Sequence, residues 1–493
     1  MKTFLTFLIL TVSALTQDGQ PNLTVKATSD FLALHLTGKA PPGTTALQYR
    51  VAESGAVAES AQWISAQVPL ENEGAFALSL PLKTSRWSEV QVRALKGEAV
   101  LAKQESHRAG RTFQMLTAER IATLPELERA AWTAYLLRSN ESFEKEYDAL
   151  AAECRKLDLA RAKPAPSNRA MFTRDAAQDL ANVVMSYQTP TGGWSKAVDY
   201  ADGPRQPGTH WTAQTGQDGW HYCGTLDNRS TTEQILFLAE VHAATKREDI
   251  KAAVMRGLDL LFAAQLPNGG WPQNYPVEPG YHEAITLNDD AMTHALEVLL
   301  DIAQANAPFA FADEALRQRA RASFDKGIGC LAAAQVKVDG KPTVWCAQHD
   351  PLTLAPVAAR LKEPPSLSGA ESASLLKFFM RKAPVDATIT AMVEPALTWL
   401  DAHRITGLRN AKNAAGKTDY VADATSDEVY WARFYDVQTG TPMFAGLQDG
   451  IVYSTFSEMA AQNHVGYDYY TTKPRDLIEK EVIRWRKRLA QGK

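Results

Sequence analysis

Two short runs of oxygen-bearing side chains have the composition of a cation site: Thr225-Leu226-Asp227-Asn228-Arg229-Ser230-Thr231-Thr232-Glu233 and Thr286-Leu287-Asn288-Asp289-Asp290. Asp and Asn oxygens without a neighbouring Cys or His set suit a hard cation, Ca²⁺ before Mg²⁺. The same residues also have an architectural reading. Ser230 with Glu233 spells a capping box, and Asp289 and Asp290 stand where a helix dipole favours acids. Both readings remain open from pattern alone.

A second constellation runs from Trp345-Cys346-Ala347-Gln348-His349-Asp350 through Arg360 and Lys362 to Glu363-Pro364-Pro365-Ser366-Leu367-Ser368-Gly369 and Glu371. Its prolines make it too irregular for a helix, so it reads as a positional loop. Arg360 and Lys362 are the cations of its central part. Ordinary surface exposure is their alternative reading. His349 has no second histidine at ligand spacing, which argues against a metal role.

The elements that must position these residues are mainly helical. Beyond Met115 apolar residues recur with helical period over Ala118 to Leu137, Ser142 to Leu157, Ala176 to Tyr187, Thr231 to Thr245, Ile250 to Ala264, Asp290 to Ala305 and Glu314 to Ala334. Gln188-Thr189-Pro190-Thr191-Gly192-Gly193-Trp194 recurs as Gln265-Leu266-Pro267-Asn268-Gly269-Gly270-Trp271, and a fainter copy spans Gln335 to Gly340 ahead of Trp345. A repeat of this length suits two helices plus loops, the unit from which an α/α toroid is stacked. It would bring the polar clusters together at one end. The expected fold is therefore mainly α: an α/α toroid-like catalytic domain over residues 115–493, with Lys163-Pro164-Ala165-Pro166 as a joint.

Residues 22–112 alternate in short runs such as Leu23 to Ala27, Phe31 to Leu36 and Val90 to Ala94, and read as a β-sandwich-like accessory module. Residues 1–16 combine Lys2 with an apolar run and read as a signal peptide, which predicts an extracytoplasmic protein. No later stretch reaches the roughly 18 apolar residues of a membrane span. Four cysteines, Cys154, Cys223, Cys330 and Cys346, are too few to frame the fold; Cys330 with Cys346 is the first pairing to test. A net charge of −4 without a basic run argues against a nucleic-acid partner. A monomer acting on an acidic ligand through a few placed cations is expected.

The stretches around Gly192-Gly193-Trp194-Ser195-Lys196, Thr225 to Asn228, Leu287 to Asp290, Trp345 to Gly369 and Trp431-Ala432-Arg433-Phe434-Tyr435 resemble family 10 polysaccharide lyases, the helical pectate lyases. The resemblance spans about Ala170 to Tyr470. It implies that Asp227, Asn228 and Asp289 bind a catalytic Ca²⁺, that Arg360 is the Brønsted base, and that Lys196 and Arg433 grip substrate carboxylates. Lys362 joins the substrate-binding set, as do Gln448 and Asp449. These last two stand where the family has Gly-Arg-Asp-Gly and this chain reads Gly446-Leu447-Gln448-Asp449-Gly450, so an uncharged residue replaces a cation.

The implied reaction is β-elimination of polygalacturonate or pectin, giving unsaturated products. The rivals are an inverting glycoside hydrolase of the same architecture, with Asp289 or Asp290 and Asp227 as acid and base, and an inactive pectin-binding homologue favoured by Gln448. A terpene-cyclase-like toroid suits the basic loop less well.

Overall fold

The computed structural model describes residues 23–29, 33–53, 62–66, 74–81, 87–103, 107–110, 115–157, 175–209, 211, 224–277, 280–360, 362–413, 416–447, 452–461, 465 and 467–491. The expected signal peptide, the Lys163–Pro166 joint, Cys223, Gln448 and Asp449 lie outside the described residues, as does the side chain of Cys154. The chain divides into two compact units, Met1–Thr117 with Leu136–Gly224, and Ala118–Tyr135 with Thr225–Lys493.

In the first unit, alternation produces two antiparallel sheets. Strands β1 (Thr24–Ser29), β2 (Ala33–Lys39) and β5 (Ala75–Pro81) pair in the order β1-β2-β5. Strands β3 (Ala46–Glu53), β4 (Ile64–Ser65), β6 (Trp87–Lys96) and β7 (Ala99–Lys103) pair as β4-β3-β6-β7, with β8 (His107–Gly110) also on β6. Val90, Val92 and Ala94 of β6 share one face, and they are buried with Leu36, Leu47 and Phe76. Each such buried valine contributes about 1.5–3 kcal/mol, so Val92→Asp would break this core.

The helices dominate the rest: α1 (Ala118–Ala122), α2 (Glu126–Leu157), α3 (Ala176–Ser186), α4 (Thr232–Thr245), α5 (Glu248–Ala264), α6 (Ala291–Ala303), α7 (Glu314–Ala334), α8 (Gly369–Arg381) and α9 (Ala387–Ala402). The sequence pattern divides the first stretch near Ser139-Asn140, whereas α2 runs through it. Ser139 is buried there, and packing overrides the weak helix propensity of Ser and Asn. Helices α8 and α9 add to the helical stretches expected from the sequence. In the second unit α4 packs on α5, α6 on α7 and α8 on α9.

The repeated Gln…Gly-Gly-Trp segment closes each hairpin by the same bonds. The indoles of Trp194, Trp271 and Trp345 are fully buried and donate Nε1–H to the carbonyls of Val184, Leu261 and Leu331, near the ends of α3, α5 and α7. The amides of Gln188 and Gln265 donate to Gly192 and Gly269 across the turn (2.7 and 3.0 Å). Gly269 has φ +98, and a Cβ there would sit 2.2 Å from the Lys326 carbonyl, so only glycine makes this turn. A fourth copy, absent from the sequence reading, is Trp431, whose indole donates to Leu400 in α9 at 2.6 Å. The hairpin Leu408–Lys412/Thr418–Ala422, inserted between them, hides the spacing.

Cys330 and Cys346 are free and buried, which corrects the expected pairing. Each sulfur has its own surroundings: Cys330 Sγ faces Asn268 Oδ1, and Cys346 Sγ faces the Val357 carbonyl and accepts from Ser366 N–H. Burial pushes the Cys330 thiol up to about 12.

Candidate active site

The fourfold closure fixes where the polar turns go. The backbone carbonyl two residues after Trp271, Trp345 and Trp431 accepts a turn N–H from the preceding repeat: Leu226 N–H to Gln273, Leu287 and Asn288 N–H to Ala347, and Gly369 N–H to Arg433. Thr286 and Ser368 N–H also bond back to the carbonyls of Trp271 and Trp345. The turns at 225–229, 286–290 and 367–371 are therefore equivalent neighbours in one ladder.

The first two turns share an unusual backbone. Leu226 and Leu287 are αR, and Asn228 (φ 51) and Asp289 (φ 52) are left-handed. That region is costly for most side chains and least so for Asn and Asp. Strain kept in both copies points to function rather than capping. The capping reading fails on geometry: helix α4 starts from Thr231, which makes no side-chain capping bond, and neither does Asp290 before α6. A side-chain N-cap forms instead at Ser368, whose Oγ accepts Glu371 N–H at 3.1 Å.

Asp227 is buried, and its carboxyl meets that of Asp289. Burial first and Asp227 second push Asp289 up to about 6. Asn288, also buried, donates to Asp289 Oδ2 at 2.7 Å and accepts from Arg433 Nη2 at 3.3 Å. Asn228 lies at the surface beside them in sequence. Among the described residues no group of three or more His, Cys, Asp or Glu side chains is set to hold a metal. Two crowded carboxylates with amide oxygens at hand nevertheless fit a hard cation that completes its shell with water or ligand oxygens.

Beside this acid corner lies a basic one. The Arg360 guanidinium is held by Glu363 through two bonds of 2.7 Å, and Glu363 Oε2 also accepts the Arg360 backbone N–H at 3.0 Å. Glu363 is only 2% exposed. Burial alone would raise its carboxyl, but Arg360 and the Tyr467 hydroxyl more than offset that and hold it below the ordinary value. Glu363 in turn pushes Arg360 above its usual range. Tyr467 O–H donates to Glu363, and Arg360 donates to Tyr467. Around the same ring lie Lys362 Nζ, 4.1 Å from its centroid, and Arg433 Cζ, 4.2 Å from it. Burial, and then Arg360, lower the Lys362 ammonium. Arg433 is paired with Glu371, whose second oxygen accepts from Ser368.

The loop carrying Arg360 is fixed from below. Arg120 of α1 chelates Asp350 at 3.0 and 2.8 Å, and Asp350 Oδ1 accepts Leu352 and Thr353 N–H. His349 is fully buried, bonded through Nε2 to Cys346 N–H and through Nδ1 to the Leu354 carbonyl. Burial lowers its imidazole to about 4, so it is a neutral brace.

The structure thus brings Asp227, Asp289, Arg360, Lys362 and Arg433 into adjoining corners of the second unit. Lys196 belongs to the first unit, just after Trp194. Asn288, Glu363, Glu371 and Tyr467 were not singled out from sequence. Alignment of the third polar turn with the first two would have revealed Glu371, whereas Tyr467 carries no local signal.

Acidic turns on paired helices thus adjoin a basic loop, and comparison with known proteins defines the class as a polysaccharide lyase. The chain belongs to the pectic acid lyase family, whose model matches residues 188–478, more than half its length. Among solved structures it resembles a family 10 polysaccharide lyase from Cellvibrio cellulosa, with 31% identity over 66% of this chain and 94% of that one and a TM-score of 0.53. A mutant of the Cellvibrio lyase in complex with trigalacturonic acid matches with 31% identity, 67% of this chain, 96% of that chain and a TM-score of 0.54. No curated protein matches. Among the described residues no helix is long and apolar enough to cross a membrane.

Proposed function

We propose that this lyase cleaves polygalacturonate by Ca²⁺-assisted β-elimination and releases 4,5-unsaturated oligogalacturonides. The observation that carries the reading is an excess of opposite charge in two neighbouring corners: two carboxyls crowd one, and in the next three cations are met by only two carboxylates, Glu363 and Glu371. Each corner is relieved by a ligand of opposite sign, and a cation-bound uronate brings both. Asp227, Asn228 and Asp289 are assigned to the ion, and Lys362 and Arg433 to substrate carboxylates. Lys196, Gln448 and Asp449 enter as matches by position. Bound calcium would supply charge neutralisation at the carboxylate next to C5.

Arg360 takes the C5 proton in this reading. The C5–H electron pair becomes the C4=C5 double bond as the C4–O bond breaks, and the leaving oxygen takes a proton from solvent. Glu363 opposes this by keeping Arg360 charged, so Lys362 and Arg433 must offset it for the neutral guanidine to form. An inverting hydrolase fits less well: its two carboxyls stand roughly 6.5–9.5 Å apart to admit water, whereas Asp227 is near enough to Asp289 to raise its carboxyl.

The stacked hairpins support a toroid-like domain over 115–493, and the two N-terminal sheets a sandwich-like module over 22–112, behind an export signal at 1–16 in a monomeric, extracytoplasmic enzyme. Arg360→Ala should lower formation of ultraviolet-absorbing product by on the order of 10²–10⁴ with the fold intact. Chelation should stop wild-type turnover and Ca²⁺ restore it. Normal turnover in the variant refutes the base assignment, and indifference to chelator removes the metal.

A further inference from the structure

We propose that Glu363 and Tyr467 are positioning residues, a clamp that fixes the Arg360 guanidinium and gathers the three cations of the basic corner on one phenol ring. The inference rests on the lyase reading above and extends it to residues with no assigned role. Three like charges repel, and Arg360, Lys362 and Arg433 lie within 5.6, 4.1 and 4.2 Å of the Tyr467 ring centroid. The negative face of an aromatic ring attracts each of them, and a shared ring can hold cations that no single carboxylate could reach. The ring is itself fixed, edge-on to Phe434 and Tyr469 at 6.1 and 6.4 Å.

Glu363 supplies the second constraint. It binds both the guanidinium and the backbone N–H of Arg360, and its own N–H donates to the Arg360 carbonyl at 2.8 Å. Side chain and turn are therefore locked together. A planar fork held at two points cannot rotate, which is the condition for presenting one nitrogen to a carbon-bound proton. The Tyr467 hydroxyl, bonded to both Glu363 and Arg360, ties the ring to the fork. The clamp thus divides its work: the carboxylate and hydroxyl aim Arg360, and the ring sets the spacing of the carboxylate-gripping cations.

The division predicts a split between kcat and KM. Full-length wild type, Arg360→Ala, Glu363→Gln, Tyr467→Phe and Tyr467→Leu are assayed on polygalacturonate with Ca²⁺ by unsaturated-product absorbance, with thermal melting as a folding check. Glu363→Gln loses the aim of the fork but also the charge that keeps Arg360 protonated, so kcat at the optimum should fall by about tenfold while the pH optimum moves down; Tyr467→Phe should lower kcat by about tenfold, and both should keep KM within about threefold of wild type. Tyr467→Leu, which loses the ring, should also raise KM by about tenfold. Should Glu363→Gln fail to fold, the two Tyr467 variants decide, because Phe keeps the ring packing and rescues KM where Leu does not. Wild-type kcat and KM in folded Tyr467 variants, with Arg360→Ala inactive, would overturn the clamp and leave the lyase reading standing. Absence of unsaturated product from wild type would overturn both.

Discussion

The acid corner and the basic corner are built in opposite ways. Asp227 and Asp289 are brought together by two copies of one strained turn, so the repeat itself creates the burial and, second, the repulsion that push Asp289 up to about 6. Arg360 belongs to no repeat. It is carried by a unique proline-broken loop, and its buried partner Glu363 pushes it the other way, toward a permanent charge. Symmetry thus supplies the paired carboxyls, while a loop outside the repeats supplies the guanidinium that we propose acts on substrate.

The largest effect expected is at the cradle. Asp289→Asn keeps the shape and the Asn288 neighbour but halves the carboxylate charge, so Ca²⁺ affinity measured by calorimetry should fall by on the order of 10²-fold and turnover with it. Because the repulsion also disappears, the ion-free variant should melt no lower than wild type. Equal affinity in the variant would separate the strained turns from metal binding.

Acid should act on the corners in opposite senses. His349, which braces the basic loop, has its imidazole lowered to about 4. The unfolded chain takes up that proton below about 6.5. The stability it confers is therefore complete above about pH 6.5 and lost progressively down to about 4, by about 3 kcal/mol. Asp289 runs the other way, since protonation below about 6 removes its conflict with Asp227. Between pH 7 and 4 the two effects nearly offset each other in ion-free wild type, so the melting temperature of His349→Gln should rise relative to wild type as the pH falls; a difference between the two that stays constant across that range would clear His349 of the effect.

Lys362 offers a smaller test confined to the basic corner. Lys362→Met keeps the apolar stem over Tyr467 and removes the charge, so KM for polygalacturonate should rise about tenfold, less at high salt, with Ca²⁺ affinity unchanged. A loss of Ca²⁺ affinity would mean that the two corners are not separable.

The acid corner was far more legible in sequence than the basic one. Asp227, Asn228 and Asp289 stand in adjacent copies of a visible repeat, and the Gly-Gly-Trp punctuation gave the helical hairpins their period. The capping box expected at Ser230 and Glu233 does not form, because the left-handed backbone at Asn228, Arg229 and Thr231 carries the chain away from a capping geometry, and a side-chain cap appears at Ser368 instead. Glu363 and Tyr467 lie 104 positions apart, and only the fold makes them neighbours. Helix α8 completes its buried face with Ala, Ser, Phe and Met beside Leu375 and Leu376, which blurs its period, whereas α9 keeps a regular stripe of Ile389, Met392, Val393, Ala396, Leu397 and Leu400 that the interior Pro395 disguises.

The smallest effects come from the tryptophans, and they separate the corners most finely. The Trp271 carbonyl accepts Thr286 N–H, so this closure carries the acid turn, whereas the carbonyl that accepts Gly369 N–H belongs to Arg433, two residues after Trp431. Replacing either indole by Phe keeps most of the packing and strips a buried carbonyl, Leu261 or Leu400, of its donor. Each change should cost about 1–3 kcal/mol in denaturant unfolding. The kinetic consequences should diverge: Trp271→Phe raises the Ca²⁺ concentration needed for half activity, and Trp431→Phe raises KM for polygalacturonate. Identical shifts in both variants would show that the repeats close as one rigid block and that the two corners share a single mechanical support.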